Sequence, residues 1–407
     1  MEKLLGNLGD ESLSVPSGVV IGLYRDPSGE YYDGEWKFLN GKLLRHGYGK
    51  CVACGGKVIF EGHYVEGIRN GRGKLINKNI DILYIGEWIN GKLVKGTYTA
   101  DENNFIYEGD FIDENGIVIR EGIGTYIDKK EGTVYEGNWV NDKSEGKGKL
   151  TMNTVTNDTD VYIGDFVDDV FSGKGTLLLG DGSKYVGDFD DNCMHGQGTF
   201  LYPDNSKYVG QFRHHERCGF GTYTDPVGGI YVGEFKNDAF NGKAVYTFPD
   251  GTKYKGAWVD GEKHGQGEYY DAQSQISYKG AWFKGNRHGR GTEIYANGDK
   301  YSGNFENDLA NGIGKSVWVT GLRYSGNYKN GHFNGFGQIW YSDEDYYIGY
   351  FLKGKRHGEG RSTTTSTNTA TTATTTTTNN NNNNNIKGVM IRKKTSGWRV
   401  YGKKIES

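Results

Sequence analysis

A five-residue pattern, Tyr-x-Gly-x-(Trp/Phe/Tyr), returns fourteen times along the 407 residues and leaves little room for any fold that is not itself a repeat. It starts at Tyr32, Phe60, Tyr84, Tyr107, Tyr135, Tyr162, Tyr185, Tyr208, Tyr231, Tyr254, Tyr278, Tyr301, Tyr324 and Tyr347, with an underlying spacing of 23 residues and short insertions among the early units. The second half of each unit is a Gly-x-Gly, as in Gly196-Gln197-Gly198 and Gly265-Gln266-Gly267. Gly96-Thr97-Tyr98 and Gly242-Lys243-Ala244 depart from it, so the second glycine is expected to be required less strictly than the first.

Side chains alternate between the faces of a strand, which puts the tyrosine, the glycine and the second aromatic of each unit on one face. The glycine is then a slot, filled by Gly34, Gly187, Gly210, Gly233, Gly256, Gly280, Gly303, Gly326 and Gly349 and by their counterparts in the other units. A Cβ there is expected to collide with aromatic rings leaning in from neighbouring strands. Residues between them, such as Val186 and Asp188 or Ser302 and Asn304, are mixed or polar, as on a face that meets water.

Composition agrees. The 66 glycines are about 16% of the chain against a usual share of roughly 7%. Only 5 prolines accompany them, which excludes collagen, and 30 Tyr, 18 Phe and 8 Trp supply the apolar surface that a glycine-rich disordered chain lacks. Turn signals fall between units at Asp181-Gly182, Asp250-Gly251 and Asn297-Gly298. Pro203, Pro226 and Pro249 sit in the same connections, where no ladder donor is lost. Each unit therefore reads as a β-hairpin, and successive hairpins are expected to add edge to edge into an all-β, elongated, twisted, single-layer antiparallel sheet.

These residues resemble the MORN (membrane occupation and recognition nexus) repeat, whose pattern is met closely by Tyr254-Lys255-Gly256-Ala257-Trp258 with His264-Gly265-Gln266-Gly267, and again from Tyr278 to Gly291. The resemblance covers residues 32 to about 360; departures cluster in the first six units, with longer spacings and Phe60 in place of Tyr. It implies arrays that dock proteins, dimerise or are proposed to contact anionic lipids, some of them attached to lipid kinases or methyltransferases, others to junctional membranes or cytoskeletal assemblies.

Four segments are expected: residues 1–31 with a partial capping repeat, the array at 32–361, a disordered Thr/Asn-rich linker at 362–385, and a basic segment at 386–407 that reads as a capping hairpin. The last segment holds Lys387, Arg392, Lys393, Lys394, Arg399, Lys403 and Lys404, the candidate contacts to an anionic membrane surface. Residues 156–192 are the opposite, with nine Asp against Lys174 and Lys184.

Chemical motifs are weak. Histidine precedes Gly-x-Gly as His46, His195, His264, His288 and His357, but Asn70, Glu145, Ser172, Cys218, Asn241, Asn311 and Asn334 fill the same place elsewhere, so a turn residue making local hydrogen bonds is expected. Gly312-Ile313-Gly314-Lys315-Ser316 lacks the first glycine of a phosphate loop. Cys51 and Cys54 form a lone Cys-x-x-Cys, and Cys193, His195, His214, His215 and Cys218 occupy adjacent loops without paired ligand spacing. No catalytic residue, metal or cofactor is expected. Four cysteines, no apolar run near 18 residues, no apolar segment after the first residues and a net charge of −3 point to a cytoplasmic protein, peripheral at a membrane or cytoskeleton if attached at all, that binds no nucleic acid. The function expected is a non-enzymatic scaffold for a protein partner or cytoskeletal assembly, with homodimerisation open. Its alternatives are a peripheral phosphoinositide binder and a regulatory subunit of a separate enzyme.

Overall fold

The computed structural model describes residues 18–114, 116–154 and 158–363, and 29 strands within them join one open antiparallel sheet. The chain falls into two units, Met1–Met194 and His195–Ser407. Within each, a strand pairs with the strands before and after it in sequence: Lys207–Arg213, for example, pairs with Cys193–Leu201 on one side and Glu216–Thr224 on the other. Fourteen hairpins account for all but one strand. The remaining one, Val19–Arg25, comes from the leading segment and covers the edge of Tyr31–Leu39. At the other end Lys355–Thr363 runs two residues past position 361, because Ser362 and Thr363 still pair with Tyr347 and Tyr346.

The alternation follows the pattern of the sequence. In Lys207–Arg213, Tyr208, Gly210 and Phe212 are buried and the residues between them exposed, and Ile230–Lys236 repeats this. The ring over most pentad glycines, however, is not one leaning in from a neighbouring strand, and at Gly86 and Gly233 a Cβ would meet backbone and the Leu93 and Ala244 side chains instead. A Cβ on Gly210 would lie 2.4 Å from the Oη of Tyr208, two residues earlier on the same strand, and 2.7 Å from the Cα of Gly221 on the next. A Cβ on Gly221 would meet the same ring at 2.5 Å. Tyr208 thus lies flat across both glycines, and its hydroxyl donates to the Gln211 carbonyl at 3.0 Å. The same bond recurs from Tyr107 to Asp110, Tyr254 to Ala257 and Tyr324 to Asn327. The second aromatics stand edge-on around that ring, Phe212 at 5.1 Å and Phe235 of the next hairpin at 4.8 Å between centroids.

Glycine also faces glycine across the ladder. From Gly22 the row runs through Gly34, Gly49, Gly62 and Gly73 to Gly187 in the first unit. In the second it runs from Gly198 to Gly360, with Ala244 in one place. The first glycine of Gly-x-Gly has a different task. Gly219 sits at φ 56°, where the register slips after Gly210, so it makes a bulge that a Cβ would strain. This corrects the reading of one early unit: Gly96 pairs with Gly86 and Gly109, so it is the row glycine, and it is the bulge glycine that is missing there. Two-residue turns close many of the hairpins with positive φ at both positions, as at Asp191-Asn192, His214-His215 and Asn237-Asp238.

Gly256→Val is expected to damage the fold far more than Lys255→Val. A Cβ on Gly256 would lie 2.5 Å from the Tyr254 hydroxyl and 2.7 Å from the Gly267 Cα, whereas Lys255 is on the exposed face. Overpacking of this kind costs about 1–3 kcal/mol, and surface changes stay within about 0.5 kcal/mol. Equal midpoints for the two variants in denaturant unfolding would contradict the assignment of faces.

Candidate interaction surface

One register position carries most of the polar chemistry of the aromatic face. It is the residue directly opposite the second aromatic of each pentad: Arg45 faces Trp36, Arg69 faces Tyr64, Arg120 faces Phe111, Arg217 faces Phe212, Lys263 faces Trp258, Arg287 faces Trp282 and Arg356 faces Phe351. Each cation stacks on rings. The Arg120 guanidinium is 4.1 Å from the Trp139 ring, and the Lys263 Nζ is 4.8 Å from Tyr269, 5.0 Å from Trp282, 5.2 Å from Tyr254 and 5.9 Å from Phe248. Such contacts contribute about 0.5–2 kcal/mol, most when water is excluded.

Three of these arginines are also latched by the next hairpin. Asp238, the second turn residue there, donates its N–H to the Arg217 carbonyl at 3.2 Å, and its carboxylate accepts from the Arg217 backbone N–H at 2.9 Å and from Nε at 3.1 Å. Asp142 holds Arg120 and Asp308 holds Arg287 in the same way. Arg287 also pairs with Glu293, which is 2% exposed and accepts a second bond, of 2.7 Å, from the Tyr295 hydroxyl. Burial raises the pKa of the tyrosine hydroxyls, Tyr32 to about 12 and Tyr254 further still, so they act as neutral donors. Burial lowers Lys263 to about 8, with Asp308 acting against the shift and Arg287 adding to it.

Beside the cations runs a strip of rings at the entry to the inter-unit connections. Tyr202, Phe248, Tyr295 and Trp318 are half-buried and Tyr341 is exposed. Where the neighbouring positions are small, at Ala310 and Ser316, a cleft opens between Tyr295, Trp318, Tyr328 and Phe333. The opposite face is charged in the first unit, with cross-strand pairs Lys95–Asp110 at 3.1 Å and Lys149–Glu136 at 2.9 Å. In the second unit that face exposes Ile313, Phe336 and Tyr350.

The residues singled out by sequence fall as follows. The row glycines are structural, as described above. Lys387, Arg392, Lys393, Lys394, Arg399, Lys403 and Lys404, with the Thr/Asn-rich tract from 364 onward and the expected capping hairpin, lie outside the described residues. In the acidic stretch, Asp165, Asp168 and Asp188 pair with Lys147, Lys143 and Lys174 of their own unit. At the position before Gly-x-Gly the backbone is used more consistently than the side chain. The carbonyls of Ser172, Cys218 and Asn241 accept from Tyr162, Tyr208 and Tyr231, which explains why His, Asn, Glu, Ser and Cys interchange there. Gly312 is a bulge glycine and Gly314 belongs to the glycine row. Cys51 and Cys54 are free thiols, His214 and His215 are the two residues of a turn, and among the described residues no group of three or more His, Cys, Asp or Glu is placed to hold a metal ion. No helix among the described residues is long and apolar enough to cross a membrane. The cation column and the aromatic strip were not singled out beforehand; their signal is the same 23-residue recurrence, read outside the pentad.

The family model of the MORN repeat matches residues 60–79, 84–103 and 135–154, and then continuously from 162 to 274 and from 278 to 368. No curated protein matches the chain. Among solved structures it is similar to the SAS-4 TCP domain of Drosophila melanogaster, solved in complex with a proline-rich motif of Ana2, at 10% identity over 44% of this chain and 90% of that one, with a TM-score of 0.26. It is similar to a streptogramin B lyase at 12% identity over 83% of this chain and 92% of that one, with a TM-score of 0.12. Overlaps this low carry no argument about function.

Arg287→Leu should destabilise the protein by about 3–5 kcal/mol, since it strands the Glu293 carboxylate, whose side chain is 3% exposed. The double change Arg287→Leu, Glu293→Leu should recover most of the loss, because sister strands carry Tyr269 and Ile339 at the register of Glu293. Additive losses in chemical denaturation would show that the two residues do not act as a pair. For Lys263, the unfolded chain binds the proton with its ordinary pKa of 10.5 and the folded chain with one of about 8. Between those values the unfolded state holds more protons, so stability should rise with pH. The unfolding free energy of Lys263→Met, measured against the parent from pH 8 to 10, should lack that rise; parallel curves would count against the burial of the charge.

Proposed function

Because the chain belongs to the MORN repeat family, we propose that it is a non-enzymatic scaffold that docks a protein partner or cytoskeletal assembly on the aromatic face of its repeats. The observation that carries this reading is the strip of half-buried rings, Tyr202, Phe248, Tyr295 and Trp318, with a narrow cleft between Tyr295, Trp318, Tyr328 and Phe333. Partly exposed rings such as Tyr295 and Trp318 give a partner apolar area at low entropic cost, and aromatic anchors of this kind dominate interface energetics. The protein acts in the cytoplasm, at a membrane or cytoskeletal structure when its partner is there.

A second reading rests on charge. From 347 to 407 the chain has eleven Lys or Arg against Glu359 and Glu406, and basic residues that reach an anionic leaflet contribute about 1 kcal/mol each. On this reading the protein sediments with phosphoinositide vesicles at low salt and is released when Lys393, Lys394, Lys403 and Lys404 are changed to Glu.

Photo-crosslinking in cells separates the two. Benzoylphenylalanine in place of Trp318 should give a discrete protein adduct that the same residue in place of Val232, exposed on the opposite face, does not. Adducts alike from both positions would refute docking on the aromatic face. Vesicle binding abolished by the four charge reversals, with no adduct at 318, would favour the membrane reading instead.

A further inference from the structure

Lys263 departs from an arrangement that three sister positions keep. At Arg120, Arg217 and Arg287 the carbonyl accepts from the second turn residue of the next hairpin, which is Asp142, Asp238 or Asp308, and the carboxylate of that residue returns to the guanidinium. At Lys263 the same backbone bond, 2.9 Å long, comes from Gly285. Gly285 therefore stands where the aspartates stand, at φ 80°, close to the 63–67° of Asp142, Asp238 and Asp308. A Cβ built on it would meet nothing within 4 Å. The place of the carboxylate is open.

The ammonium nevertheless has its surroundings ready. Four rings, Tyr269, Trp282, Tyr254 and Phe248, hold it, and among the described residues no carboxylate lies within ion-pairing distance of it. Asp308, whose field it feels, is engaged by Arg287. Lys284, the residue before Gly285, turns its ammonium to the exposed Phe283 ring, 5.6 Å away, and leaves the open place to Lys263. It is the first turn residue, where the three latched hairpins have Asn141, Asn237 and Asn307. Arg45 and Arg69 also face glycine, Gly67 and Gly91, but a Cβ there would meet Leu44 at 3.8 Å and Ile68 at 3.4 Å, so neither place is as open as that at Gly285.

We propose that Lys263 is a docking point for a carboxylate of a protein partner, an Asp or Glu side chain that enters over Gly285 and takes the place filled internally by Asp142, Asp238 and Asp308. The inference rests on the protein-docking reading and specifies the chemistry of the partner: an acidic segment, with apolar residues to lie along the ring strip. Charge complementarity favours this occupant. A desolvated cation stacked on rings gains most from an anion that reaches it through a low-dielectric rim.

The substitution Gly285→Asp tests it by supplying the missing carboxylate from within. The full chain is used to select from a displayed library of random 12-residue peptides, and the selected peptides are then measured against variants. We expect them to carry Asp or Glu at a fixed position, and their affinity to fall at least tenfold on Gly285→Asp and on Lys263→Met. Gly354→Asp, the same change in a hairpin whose turn bonds to Phe333, should leave affinity within twofold. Far-ultraviolet circular dichroism and unfolding midpoints identify any variant that has lost its fold, and Gly285→Asp, in open space, is the variant that decides. Selected peptides without acidic residues, binding indifferent to Gly285→Asp, no selected peptide at all, or phosphoinositide vesicles responding to Gly285→Asp in place of peptides would each overturn the proposal. A crosslinked adduct at position 318 that persists in Gly285→Asp would leave docking standing while removing the carboxylate; absence of that adduct from the parent would remove docking itself.

Discussion

A tyrosine ring lying flat on two glycines is the contact on which everything else in this protein rests. A sheet of one layer has no second layer to bury its apolar face. Here the layer is made from the strand itself: Tyr208 folds down over Gly210 and Gly221, its hydroxyl reaches the Gln211 carbonyl, and edge-on rings close the sides. The arrangement explains both the glycine and the tyrosine. A Cβ on Gly210 or Gly221 would meet the ring, Ala244 is the one exception in its row, and Phe60, which keeps the ring without the hydroxyl, still lies over Gly62 and Gly73.

The cation column is a second set of ties laid over the first. A carboxylate or a backbone N–H from one turn reaches the strand before it, so adjacent hairpins are joined at the turn as well as along the ladder. Where the column carries Arg and the turn Asp, the tie is ionic and half-buried. Where it carries Phe240 or Phe333, stacked on Tyr231 or Tyr324 at 3.8 and 3.7 Å, it is apolar. The column therefore varies in chemistry while its geometry stays constant, which lets single positions become polar without loss of the array.

That variation also decides what was legible in the sequence. The pentad could be read because three of its five positions are nearly invariant from unit to unit, and period-2 alternation assigned their face correctly. Which ring covers the glycine could not be read, since the rule of alternation does not say that a tyrosine bends back along its own strand. Gly96 was misplaced for a related reason: bulge and row glycines look alike in sequence, and only the pairing with Gly86 and Gly109 separates them. The cation column was hidden because the same register holds Arg, Lys, Phe, Ser, Leu and Ala, with no repeated letter to catch the eye. The open place above Lys263 depends on Gly285, 22 residues away, and required the turn-to-strand bond to be known.

Strictly sequential pairing has a genetic consequence. A strand in this sheet recognises its neighbours only through the shared register of glycine on glycine, and that register is the same at every step. Excision of residues 208–230 would bring the strand that holds Gly198 against the one that holds Gly233, with Phe200 meeting Tyr231 as it now meets Tyr208. Loss or duplication of whole 23-residue units by unequal recombination would thus be tolerated by the fold, and the number of repeats would be free to drift until a bound partner, spanning several of them, measured the distance.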